Sequence, residues 1–291
     1  MTMFAYYLWS YLSLLASVVL LSAFFFILEA LIPANKQPLS SRFFNLFYYP
    51  VILIAMMALN FILNPAYSKL LQITRGGLLP NLIAVPRTFV TQLMFALAFA
   101  VVWDIWQYWV HRWQHASPLL WQTHRFHHSE TAFNSSVWAR THLSHHLLVG
   151  VLYFPVFIFF GLMYPHAIAA FMMFRMWGFV NHANVRLSFG IITPVIAGPQ
   201  WHRIHHSTQA EHRDRNFATF FPFIDLVFGT YYAPHPNEYP ATGLAAEESI
   251  SNLRDATFEP VLGIYRIAKR QTRFGDGLRR MTSHADVDQV V

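Results

Sequence analysis

Three stretches of this chain, residues 6–32, 43–63 and 89–110, are each long and apolar enough to cross a bilayer, and the first carries a single charge, Glu29. About twenty apolar residues span the hydrocarbon, so each run is read as a transmembrane helix. The first lacks the cationic start of a signal peptide and exceeds the length of its apolar region, so it is expected to be retained. Two shorter runs, 147–163 and 166–180, are separated by Tyr164-Pro165 and predict a hairpin that enters the membrane and returns. Of 291 residues 55% are hydrophobic and 12% charged, a balance a soluble domain seldom has. The expected fold class is therefore an all-α membrane protein of about five membrane-inserted helices, three spans plus a hairpin, with a cytosolic helical cap.

Counting crossings places residues 33–42, 111–146 and everything after Asn181 on one side. That side carries Lys36, Arg42, Arg112, Arg125, Arg140, Arg186, Arg203 and the cations of the C-terminal region, whereas the opposite loop, 64–88, has Lys69, Arg75 and Arg87. The excess of cations marks it as cytoplasmic. The net charge of +6 is scattered rather than gathered into a stripe, so it serves topology, and no nucleic-acid partner is expected. Trp103, Trp106, Trp109 and Trp113 crowd the end of the third span, as rings do at the headgroup level. The chain divides into N-terminal helices (1–95), a central region (96–232) and a tail (233–291), the last with a short helix near 259–273 and a disordered end.

The histidines concentrate the chemistry. None occurs before His111, and they then crowd the stretch to His212. A lone histidine in an apolar chain is an ordinary hydrogen-bonded residue, but groups spaced i,i+3 and i,i+4 share a helix face and can share a metal ion. The candidate ligands are His111 and His115; His124, His127 and His128; His182; and His202, His205 and His206. A further HxxHH at 142–146 adds His142. Nine imidazoles suffice for two ions with a position left open, and with no cysteine in the chain any metal rests on nitrogen and oxygen. Imidazole suits iron, zinc, copper and nickel. A redox-active pair at a membrane surface suits attack on a lipid C–H bond, which favours iron and dioxygen.

Asp104, Tyr108, His111 and His115 form one helical stripe. Asp104 is therefore a candidate to orient an imidazole or receive a proton, with Tyr108 beside it. Two other functions compete. A haem-binding electron carrier would place its histidines inside the spans, and a transporter or non-catalytic metal scaffold would show ionisable groups at mid-membrane or broken helices; this chain has neither feature.

HRWQH at 111–115, HRFHH at 124–128, NHANV at 181–185, HRIHHS at 202–207, DRNFA at 214–218 and FIDLVFGTY at 223–231 resemble, in that order, the fatty acid hydroxylase and sterol desaturase superfamily of membrane di-iron oxygenases. The likeness runs from about residue 100 to 232. It implies a cytosolic cap binding two irons through the nine histidines, with O2 as co-substrate and a lipid such as a sterol or fatty acyl chain hydroxylated or desaturated. Zinc can replace iron on purification. By matching motif positions, Asn184, Asp214, Asn216 and Asp225 are polar residues near the ligands. The family's Arg-x-His-Pro-x-Glu segment survives here only as Arg140 and His142. No cytochrome b5-like or ferredoxin-like segment is seen, so an external ferredoxin- or cytochrome-type donor with its reductase is expected. The 181–187 stretch, NHANVRL, resembles bacterial members, and that resemblance points towards a bacterial inner membrane.

Overall fold

The structure, a computed structural model, describes residues 3–82, 88–161, 165–244, 250 and 252–285, and it is helical throughout, with no strands among the described residues. The apolar runs fold as expected. Helix α1 covers Met3–Leu31, α2 Leu39–Ile73, and α4, after the short α3 at Leu79–Leu82, Phe89–Ala116. The hairpin arms are α6, Leu143–Phe160, and α7, Pro165–His182; its tip at 162–164 lies outside the described residues. Four of these, α1, α2, α4 and α6, are long and apolar enough to cross a membrane, and the chain is an integral membrane protein.

Helix α2 corrects the expected length of the second span. It runs 35 residues, about 50 Å at 1.5 Å per residue, well beyond the roughly 30 Å of hydrocarbon. Its far end continues through Asn64 to Ile73, where a loop was expected. Its near end rises into the cap: Tyr48 meets Phe126 edge-on at 5.0 Å, and Asn45 donates to Ser136 Oγ.

Between α4 and α6 lie α5, Pro118–His128, and a 3-10 turn at Ser135–Ala139. Ser117 starts α5 sharply by accepting from Leu120 N–H with Pro118 in the first turn, where the missing donor costs nothing. Beyond α7 come α8, Pro199–His205, then α9, Phe223–Phe228, and α10, Leu253–Ala285. Helix α7 crosses the 3-10 turn so closely that a Cβ on Gly178 would stand 1.9 Å from Trp138; only glycine permits that approach.

The region expected to be a tail is instead part of the cap. Ser207 and Thr242 form an isolated bridge, and Ile250 and Ala256 join Tyr48, Ile52 and Phe126 in one buried cluster. Helix α10 is also far longer than the short helix expected at 259–273 and packs along α5. The end expected to be disordered, 286–291, lies outside the described residues.

Two buried ionic clusters lock the cap to the spans. Glu29, at the end of α1, accepts from Ser135 N–H at 2.7 Å and Asn184 N–H at 2.8 Å and pairs with Arg42. Arg140 donates to Phe126 O at 3.0 Å, Asn45 Oδ1 at 3.1 Å and Ser129 Oγ at 2.9 Å, and also to Ile250 O. The guanidinium thus joins Phe126 O, in the last turn of α5, to α2 and to Ile250.

Candidate metal centre

Nine imidazoles converge in two adjoining groups. His111, His115, His124, His128 and His205 form one; His127, His182, His202 and His206 form the other, and within each group one nitrogen per ring lies within 4.8 Å of all the others. Each HxxHH is divided between the groups. His124 and His128, one turn apart on α5, go to the first while His127 goes to the second; His202 and His206 go to the second while His205 goes to the first. Neighbours on a helix point about 100° apart, so a His-His pair seated between two sites serves both. His128 stacks on His206 at 4.2 Å where the groups meet.

The outward nitrogens fix the inward ones. His111 Nδ1 lies 2.8 Å from Phe217 O, His205 Nδ1 2.8 Å from Arg215 O and His182 Nδ1 2.6 Å from Gly178 O. A carbonyl only accepts, so each Nδ1 carries the proton and each Nε2 turns a lone pair inward. His115 Nδ1 meets Asp214 Oδ1 at 3.3 Å, the carboxylate–imidazole arrangement that orients metal ligands.

Hydrogen bonding cannot account for this convergence. His128 Nε2 lies 3.2 Å from His115 Nε2 and 3.1 Å from those of His124 and His205. A ring nitrogen has one proton or one lone pair, so at most one of these contacts is a hydrogen bond. In the second group His182 Nε2 is 3.1 Å from His127 Nε2 and 3.2 Å from His202 Nε2, and His206 Nε2 is buried with no hydrogen-bond partner. A shared cation turns every such contact into an edge between ligands. Metal–nitrogen bonds of about 2.0–2.1 Å at right angles give edges of about 3 Å, so the residues fit metal ions well. The donor set agrees: burial, then mutual repulsion, holds His124, His128, His205 and His206 well below the usual imidazole range, leaving neutral ligands.

Aromatic rings pack against both groups. Phe217 stands edge-on to His111, His115 and His205 at 5.4, 5.1 and 5.5 Å, and Phe133 lies 5.4 Å from His182 and 4.9 Å from His206. Phe217 lies within the DRNFA stretch at 214–218 without being singled out there, and no pattern in the sequence marks Phe133.

The other expected site residues hold the frame rather than face the rings. Asp104 accepts from the N–H groups of Thr219, Phe220 and Phe221 at 2.8, 2.9 and 2.6 Å; it clamps a loop and touches no imidazole, contrary to the expectation from its helical stripe. Asp225 accepts from Phe217 and Ala218 N–H in the same loop. Tyr108 pairs with Thr230 Oγ1 and accepts from Arg112. Asn216, at φ 62°, bonds Trp201 O and both backbone groups of Tyr232, and Asn184 ties its side chain to the backbone of Asn35. Asp214 alone of these reaches a ligand ring, and that hydrogen bond with His115 holds its carboxyl below the usual carboxylate range.

His142 stands apart from both groups. It caps α6, its Nδ1 accepting from Ser144 N–H at 3.0 Å and its Nε2 donating to Thr257 O at 3.0 Å. Both nitrogens are therefore engaged, which corrects its listing among the candidate ligands. His145 is nearer, its ring stacked on His124 at 5.6 Å with Nδ1 accepting from Gln114.

Asp214→Ala is expected to weaken metal binding by about 10- to 100-fold, the usual cost of losing a partner that orients a ligand. Chelator competition on purified protein measures it, with Asp214→Asn, which keeps an acceptor oxygen, falling in between.

Residues 96–230 match a family model described as fatty acid hydroxylase. The chain is 28% identical to alkylglycerol monooxygenase of Homo sapiens over 159 residues, 54% of this chain and 33% of that protein. It is 26% identical to methylsterol monooxygenase 1-3 of Arabidopsis thaliana over 162 residues, 54% of this chain and 52% of that protein. With very-long-chain aldehyde decarbonylase GL1-10 of Oryza sativa subsp. japonica it shares 27% identity over 139 residues, 46% and 45% of the two chains. The chain thus spans about a third to a half of the length of these curated relatives. No solved structure matches it. The matched stretch begins inside α4 and ends just after α9, and it supplies all nine converging histidines, so the part of the chain that builds the two groups is the part similar to the fatty acid hydroxylase family.

Proposed function

We propose that the chain is a membrane oxidoreductase that uses two irons and O2 to hydroxylate, or to desaturate, an unactivated C–H bond of a lipid. The observation that carries this reading is the pair of adjoining groups of inward nitrogens beside apolar spans. Irons held there would supply the oxidising chemistry that acid–base and nucleophilic side chains lack. Relatives named for alkylglycerol and methylsterol substrates support a lipid, an ether-linked chain or a sterol methyl group among them.

The chain's own part is positioning and exclusion. Protonated Nδ1 atoms hold the rings in register; Phe217 and Phe133 keep water from the reacting space, where a strong oxidant would otherwise be quenched. In the overall balance O2, two electrons and two protons convert C–H to C–OH and water, and removal of a second hydrogen instead gives an alkene. The electrons come from an external ferredoxin- or cytochrome-type donor with its reductase. The cation excess on the histidine side supports a cytoplasmic centre, and the 181–187 stretch supports a bacterial inner membrane.

Expression in a lipid-rich host, beside a His128→Ala/His206→Ala double variant, is expected to yield lipids that have gained one oxygen or lost two hydrogens only with the intact chain. Iron-loaded protein supplied with donor and membrane lipids that produces neither would overturn the reading.

A further inference from the structure

Helix α10 has two apolar faces, and within the described residues only one is covered. Its inner face carries the small or compact residues Ala256, Pro260 and Gly263, all buried. A Cβ on Gly263 would stand 2.1 Å from Gln122 Oε1 of α5, so the two helices touch backbone to side chain. On the opposite side Phe258, Val261, Leu262 and Tyr265 follow at intervals of three, one and three and form a single stripe, 57%, 51%, 41% and 59% exposed. Cations accompany it: Arg254, Arg266, Lys269 and Arg270 fall within the same turns, and the whole helix holds seven Lys or Arg against three Asp or Glu.

Where the helix sits decides what covers that stripe. Ala256 packs in one cluster with Ile52, Met56 and Tyr48 of the spanning helix α2 and with Leu143, the first residue of α6. The start of α10 is thus fixed at the cap ends of two spans, and through Gly263 the helix packs against α5. A helix with an outward apolar stripe, a cationic flank and this height matches a segment lying in the plane of the interface. Tyr265 and the long cationic stems suit that layer, ring or methylenes in the apolar zone and polar tip in the headgroups.

We propose that α10 is an interfacial helix, with Phe258, Val261, Leu262 and Tyr265 set into the headgroup and upper acyl layer and Arg254, Lys269 and Arg270 facing anionic headgroups. The contact fixes the height of the histidine groups, because α5, on which α10 rests, carries His124, His127 and His128. It is a surface for lipid as a solvent, separate from whatever lipid is the substrate.

The absence of native cysteine makes the test clean. Single nitroxide labels at Phe258→Cys and Leu262→Cys, with Glu211→Cys on the exposed cap as control, are placed in the full chain in nanodiscs of phosphatidylcholine with or without phosphatidylglycerol. Labels at 258 and 262 are expected to collide with O2 and lose most collisions with a water-soluble nickel chelate, more so with phosphatidylglycerol, while the label at 211 does the reverse. An Arg254→Gln/Lys269→Gln/Arg270→Gln variant is expected to lose the phosphatidylglycerol dependence. Nickel access at 262 equal to that at 211 overturns the proposal. So does shielding from both quenchers with dipolar broadening between chains, which would mean that a second copy covers the stripe.

Discussion

Replacing His128 by alanine is expected to lower the metal content of the purified protein from about two ions per chain to about one, and His206→Ala to do the same from the other side, because the nitrogens fall into two groups and affinity rests on a full ligand set. The double variant is expected to hold neither. His128 has the largest effect in its group since its Nε2 touches three other ring nitrogens. Elemental mass spectrometry on detergent-purified protein reads the outcome. The stability changes should have opposite signs in the two forms. Without metal, removing one lone pair from a crowd of lone pairs relieves repulsion, so apo His128→Ala is expected to melt no lower than apo wild type. With metal, wild type gains the binding free energy and the variant loses the part due to the first group. His142→Ala supplies the contrast: it is expected to keep both ions and lose about 0.5–2 kcal/mol of stability as a helix cap. Equal metal loss from His142→Ala and His128→Ala, or haem in place of both ions, would sink the dimetal reading.

The contrast between those two residues shows what sequence spacing can and cannot tell. The HxxHH at 124–128, the one at 202–206 and the one at 142–146 are the same pattern, and the first two deliver every member to the centre. The third does not, because α6 begins after His142: the residue precedes its helix and spends its ring on capping Ser144 N–H. Spacing gathers residues only where the backbone keeps close to its helical course: His206, one residue past α8, still turns with it at ψ 2°, whereas His142 is extended at ψ 155°, and where a helix starts is decided by local capping that the pattern does not register. The spans were legible for the opposite reason, since twenty apolar residues leave the chain one way to satisfy its backbone.

What stayed hidden was mostly backbone chemistry. The carbonyls of Phe217, Arg215 and Gly178 set three of the tautomers, and a carbonyl has no letter of its own. Glu29 offered a signal that could have been used: a single carboxylate in a long apolar run must have a buried partner, and it has three. Asp104 carries the same signal, but a helical stripe locates side chains along one helix and says nothing of the loop that returns 115 residues later to meet it.

That loop makes Asp104→Ala the second large effect. The three amides it would orphan are each worth about 1–3 kcal/mol when left unsatisfied, so a loss of several kcal/mol is expected, read as a fall in the thermal midpoint in detergent. The loss at the centre should be uneven. The 215–221 segment aims His111 through Phe217 O and His205 through Arg215 O, and both belong to the five-histidine group. His182, in the four-histidine group, is aimed by Gly178 O within its own helix α7, which Asp104 does not hold. Asp225 still grips Phe217 and Ala218 N–H, so the loop loosens rather than leaves. Chelator competition is therefore expected to release one ion about 10- to 100-fold more readily than in wild type and the other nearly unchanged. Asp104→Asn, which keeps one acceptor oxygen for Thr219 or for the Phe220–Phe221 pair, should fall between. Equal weakening of both ions would mean that Asp104 acts on the fold as a whole; a stable variant with both ions intact would mean that the clamp is idle and that Asp225 alone aims the loop.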